Sequence, residues 1–102
     1  MDKYQKAIDD WVQGYAEPYW PPLSIFARIA EEVGEVGRIL NHTFGSKPKK
    51  ATEDKQDLGE EIADVMFALI CLANSQNINL DKEMEKVIEK SRSRDSDRFQ
   101  KK

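Results

Sequence analysis

Val65-Met66-Phe67-Ala68-Leu69-Ile70-Cys71-Leu72-Ala73 decides how the rest of this chain is read. These nine residues sit inside a longer segment with helical spacing, from about Glu53 to Ser75, and they are apolar on every face. A helix that is apolar all round is buried all round. Three short neighbours from a single small chain struggle to enclose it, so a second copy is expected to cover one side.

Working outward, prolines and glycines set the limits of the other segments. Pro18, Pro21 and Pro22 interrupt the chain early, Gly45-Ser46-Lys47-Pro48 in the middle, and Asn77-Ile78-Asn79 more softly near the end. A first helix is predicted from about Asp2 to Tyr15, with Ile8, Trp11, Val12 and Tyr15 in phase. A second runs from about Pro22 to Phe44, with proline in its first turn and Gly45 as its stop. Thr52 is a partial N-cap for the third, since Lys55 stands where a capping box wants glutamate. Asp81 is read as N-cap of a fourth helix that starts near Leu80 and passes Lys90. No stretch alternates with period two, so the expected fold is all-α, a four-helix bundle completed by dimerisation.

The 102 residues suit a single domain spanning 1–102, with an ordered core of about 2–94 and a polar C-terminal tail. Such a small domain is marginal alone, which again favours self-association. Charged residues make up 34% and hydrophobic residues 39%, and the apolar ones are clustered, which excludes a disordered chain. The net charge of -3 and pI near 5.2 argue against nucleic acid as a partner. One cysteine, Cys71, points to a reducing compartment. No signal-like leader opens the sequence, and its longest apolar run is far shorter than a membrane span. A cytoplasmic protein without a membrane partner is expected.

Two acidic patterns carry the chemistry: Glu31-Glu32-Val33-Gly34-Glu35 on the second helix and Glu61-Ile62-Ala63-Asp64 on the third. Residues three apart share a helical face, so Glu32 projects with Glu35 and Glu61 with Asp64. The reading places Ile25, Ile29, Val33, Val36 and Leu40 on the inner stripe of the second helix, with Glu32 at its edge. Leu58, Ile62, Val65 and Leu69 form the inner stripe of the third, flanked by Glu61 and Asp64. If the helices pack antiparallel, the acidic edges meet. Converging carboxylates repel unless a positive group sits among them, and a hard dication such as Mg2+ answers that need. The plain alternative is that all are solvated surface charges, the usual state of helical glutamates. Gly34, Gly37 and Gly59 suggest close backbone approach beside the acids, because a helix-interior glycine costs about 1 kcal/mol relative to alanine; the alternative is ordinary tolerance of glycine.

These patterns resemble the EExxE and ExxD motifs of the MazG-like nucleotide pyrophosphohydrolases. Ala27-Arg28-Ile29-Ala30 leading into the first, and Leu58-Gly59-Glu60 and Val65-Met66-Phe67 around the second, extend the likeness over roughly residues 2 to 99. The resemblance implies an α-helical fold that dimerises, often into a dimer of dimers. It implies Mg2+ as cofactor, with Mn2+ able to stand in, and a nucleoside or deoxynucleoside triphosphate hydrolysed to the monophosphate and pyrophosphate, a task of nucleotide-pool housecleaning. It places the metal on Glu32, Glu35, Glu61 and Asp64, gives catalytic roles to Glu31 and Glu32, and sets Lys90 and Arg94 against the phosphates. The rivals are a phosphoribosyl-ATP pyrophosphohydrolase and a non-catalytic helical interaction module.

Other residues carry weaker messages. His42, the single histidine, is read as a helix-end surface residue rather than a base contact. Trp11, Tyr15, Tyr19 and Trp20 either stack on a nucleobase or pack in a core or interface. Asn74 closes the apolar run and, if buried, needs partners. Lys47-Pro48-Lys49-Lys50 reads as a solvated loop. No Walker A loop, GxGxxG or Ser-His-Asp arrangement is present.

Overall fold

A computed structural model describes residues 1–45, 57–95 and 97–100. Four helices follow one another: α1 (Asp2–Val12), α2 (Pro22–Phe44), α3 (Leu58–Ser75) and α4 (Leu80–Asp95). There is no strand among the described residues. The all-α expectation holds, and no helix among them is long and apolar enough to cross a membrane.

The helix ends follow local chemistry. α2 starts on Pro21 and Pro22, whose missing N–H groups would be orphans at a helix start anyway. It stops at Gly45, where a Cβ would run into Asn41. α3 is shorter at its start than predicted. Asp57 has extended backbone and its carboxylate accepts from Gly59 N–H at 2.7 Å, so Asp57 is the cap. The Thr52 cap and the segment Glu53 to Gln56 lie outside the described residues, as does the loop Lys47-Pro48-Lys49-Lys50. The α3 C-terminus closes as a Schellman motif: Asn77 adopts φ 57°, and Ile78 N–H reaches Ala73 carbonyl at 2.9 Å.

Asp81 does not cap α4. Asn79 accepts from Lys82 N–H at 3.1 Å, while Asp81 turns to the N-terminal ammonium at 2.7 Å and Asp2 N–H at 2.9 Å. α1 ends at Val12 rather than Tyr15, because Gly14 and the proline-rich stretch divert the chain.

α2 and α3 form the main packing pair, α1 lies across α3, and α4 rests on α1. The α1–α3 junction is polar and complete. Asn74 Nδ2 donates to Gln5 carbonyl and to Tyr19 Oη, both at 3.0 Å, and Asn74 Oδ1 accepts from Gln5 Nε2 at 2.9 Å. Gln5 also caps Leu80 N–H at 2.9 Å. Tyr19 donates to Asp9 at 2.6 Å, and burial with this acceptor pushes its phenol up to about 12. Asn74 thus has the partners its position demanded.

The buried line on α2 is Ile25, Ile29, Glu32, Val36 and Ile39, not the stripe through Val33 and Leu40. Val33 is 53% exposed, while the Glu32 side chain is only 14% exposed. On α3 the inner line is Glu61, Asp64, Ala68 and Cys71, and Ile62 and Leu69 are each 45% exposed. The acids are therefore in the packing seam itself rather than on its edge. Nor is the apolar run of α3 buried all round within one chain: Ala68, Ile70 and Ala73 are buried, but Met66, Phe67 and Leu69 are each more than 40% exposed. The radius of gyration, 17.4 Å, exceeds the ~13 Å of a compact chain this long.

Candidate functional site

The antiparallel course of α2 and α3 builds the site. Ile25 and Arg28 share a cavity with Ala68 and Cys71, while further along α2 Glu32 faces Glu61 and Asp64. One carboxylate oxygen from each of Glu32, Glu61 and Asp64 lies within 4.8 Å of the others. All three side chains are half-buried.

Electrostatics single out Glu61. Burial, then the charges of Asp64, Glu32 and Glu35, push its carboxyl above the ordinary glutamate value of 4.5. Its Oε2 is buried and has no hydrogen-bond partner among the described residues. A buried carboxylate oxygen facing other carboxylates is costly unless it is protonated or ligates a cation.

Two arginines flank the acids. Arg28 Nε donates to Glu32 at 2.8 Å, and Arg38 donates to Glu35 through Nη2 at 2.7 Å and Nε at 3.2 Å. The sequence names Arg28 only within the stretch leading into the first motif and Arg38 not at all, although their i,i+4 and i,i+3 spacing to Glu32 and Glu35 is visible. Glu35 is near enough to act on Glu61 but stands outside the tight trio, held by Arg38. Glu31 is exposed and is not one of the converging acids. Lys90 and Arg94 share a face of α4; both are exposed, and Arg94 pairs with Asp95 at 3.1 Å. α4 rests on α1 and does not pack substantially on α2 or α3, so the pair is not drawn to the acids within this chain. His42 is half-buried in the last turn of α2.

Beside the acids opens a cavity of about 480 Å³, within the range of small-molecule sites. Trp11, Tyr15, Tyr19 and Trp20 all line it, joined by Phe67, with Arg28 and Asp64 also in its wall. Trp11 meets Tyr15 and Phe67 edge-on at 5.4 and 6.3 Å. The wall thus combines flat aromatic surface with charge from the acidic seam.

Gly34 and Gly37 do not mark a close approach. A Cβ at either would meet nothing within 4 Å, so ordinary tolerance explains them. At Gly59 a Cβ would lie 3.2 Å from the Asp57 carboxylate, a consequence of the helix cap rather than of the site.

An all-α fold with carboxylates from two antiparallel helices in its seam defines a class, and sequence comparison agrees with it. The MazG nucleotide pyrophosphohydrolase domain matches residues 21–99, and the chain belongs to this family. It is 45% identical over 102 residues to uncharacterized protein YpjD of Bacillus subtilis strain 168, covering all of this chain and 92% of YpjD. The crystal structure of YpjD, described as a candidate pyrophosphatase, superposes with a TM-score of 0.78 over 87% of this chain and 91% of that one. A Bacillus-conserved MazG protein, a nucleotide pyrophosphohydrolase, is 36% identical with a TM-score of 0.75, over 87% and 85% of the two chains. The family match begins at Pro21, so Trp11, Tyr15, Tyr19 and Trp20 stand outside it.

Proposed function

We propose that this protein hydrolyses nucleoside or deoxynucleoside triphosphates to the monophosphate and pyrophosphate with Mg2+ as cofactor. The observation that carries the reading is the seam itself. Glu32, Glu61 and Asp64 converge within 4.8 Å, and Glu61 keeps a buried oxygen with no hydrogen-bond partner among the described residues. A solvated charge cluster on an interaction module has no reason to bury such an atom.

The donor set is all carboxylate oxygen, which fits a hard dication. Glu32, Glu61 and Asp64 would hold it, with Glu35 turning in from its pair with Arg38. When bound, such an ion neutralises phosphate charge and acidifies water at the cluster. The chain's own groups do the rest. A carboxylate of the first motif, Glu31 or Glu32, takes the proton as the water oxygen bonds to phosphorus and the anhydride P–O bond breaks. The aromatic cavity accepts the base, and Lys90 and Arg94, which stand away from the acids within one chain, would neutralise the outer phosphates only from a neighbouring copy.

Self-association belongs to the same reading, as a dimer or a dimer of dimers. Phe26, Val33 and Leu40 form an outward line at seven-residue spacing on α2, and Ile62, Met66 and Leu69 a second on α3. Light scattering on wild type and Leu69→Glu checks this: the variant is expected to lose mass.

The decisive assay for the activity is pyrophosphate release from a panel of NTPs, dNTPs and phosphoribosyl-ATP, with and without Mg2+. Mg2+-dependent release from a triphosphate is expected. Release from phosphoribosyl-ATP alone, or from nothing, overturns the reading.

A further inference from the structure

Arg28 stands between the two halves of the site. It leaves α2 one turn before Glu32 and holds that carboxylate through Nε at 2.8 Å. It also lines the aromatic cavity together with Asp64 and Cys71. Its charge is felt at the Cys71 thiol, where it opposes the upward push of burial. The two terminal guanidinium nitrogens have no hydrogen-bond partner among the described residues, and half of the side chain is exposed. One edge of a planar fork is thus fixed to the acids while the other is left open.

We infer that Arg28 is a substrate-binding residue that grips the phosphate attached to the nucleoside, which with the sugar must span the gap between a base in the aromatic cavity and the outer phosphates at the acidic seam. The inference rests on the proposed hydrolysis and deepens it. The geometry has three consequences. The open edge presents paired N–H donors of the kind that match two phosphate oxygens. The Nε bond to Glu32 pre-organises the guanidinium, so little side-chain freedom is lost on binding. The same bond ties recognition of the nucleotide to the orientation of an acid in the seam.

The test compares the four common deoxynucleosides with their 5′-monophosphates, by calorimetry on the full chain in chelator, so that no metal contributes. Wild type is expected to bind at least one monophosphate about 10- to 100-fold more tightly than its nucleoside. In Arg28→Gln that gap collapses while nucleoside affinity is retained. Arg28→Lys, which keeps the charge but not the fork, retains part of it. A gap that survives undiminished in Arg28→Gln, or that is missing in wild type, overturns the assignment. Either result leaves the hydrolase reading to be judged separately, by pyrophosphate release from wild type.

Discussion

Two polar regions meet α3, one at each end, and they are built to opposite rules. At the C-terminal end, Asn74, Gln5, Tyr19 and Asp9 satisfy one another, and Gln5 also caps α4. At the N-terminal end, Glu61 and Asp64 face Glu32 with one arginine between three acids, and a carboxylate oxygen stays buried without a partner among the described residues. The first region is an ordinary structural network, complete as folded. The second is complete only with something more. Local frustration of this kind is where function is expected.

The largest effect expected from breaking the comparison is at the frustrated end. Asp64→Asn should lower turnover by about 10²- to 10³-fold, in line with losing a group that acts on transition-state charge, while helicity by circular dichroism stays intact. Equal activity in the variant would remove Asp64 from the site.

At the satisfied end the effect falls on stability instead. Asn74→Leu leaves Gln5 and Tyr19 without their shared partner, a loss of about 1–3 kcal/mol. At about 4–8 °C per kcal/mol for a domain of this size, the melting temperature should drop by about 4–24 °C. An unchanged melting temperature would mean that the network does not hold α1 in place.

Glu61 in the seam and Asp81 at the start of α4 should also respond oppositely to pH when metal is chelated. Glu61 titrates above its unfolded value, so its contribution is full in acid and is lost as pH rises through the raised folded value. Asp81, which clasps the N-terminal ammonium, titrates below its ordinary value. Its contribution is full above the unfolded value and is lost as pH falls through the folded one. Thermal melts from acid to neutral pH should therefore show Glu61→Gln gaining on wild type as pH rises, and Asp81→Asn losing most at neutral pH. Parallel curves for wild type and Glu61→Gln would contradict the crowding of acids.

The smallest effect is expected where neither end is touched. Gly34→Ala, off both the seam and the outward apolar line, meets open space in a helix and should stabilise by about 0.5–1 kcal/mol, read from denaturant midpoints.

Much of this was legible in the sequence, for identifiable reasons. The proline pair at 21–22 and Gly45 delimit α2 because their effects are local. The i,i+3 spacing of Glu32–Glu35 and Glu61–Asp64 announced shared faces. What misled was the choice of inner face. Val33, Leu40, Ile62 and Leu69 are apolar and in phase, so periodicity put them inside, yet all are exposed in the single chain. Helical period reports which faces are apolar; it does not say which of them the same chain covers. Placing Glu32, Glu61 and Asp64 in the seam required accepting buried charge there, which composition alone disfavours. The Gln5–Asn74 bonds span 69 residues, and no local pattern encodes such a pair.

The central claim is that the acids in the seam share a divalent ion, and calorimetric titration of Mg2+ without nucleotide, repeated with Mn2+, tests it most directly. Saturable uptake by wild type and its loss in Glu61→Gln, with unchanged helicity, is the predicted result. Uptake that is identical in the two proteins, or absent from wild type, would contradict it.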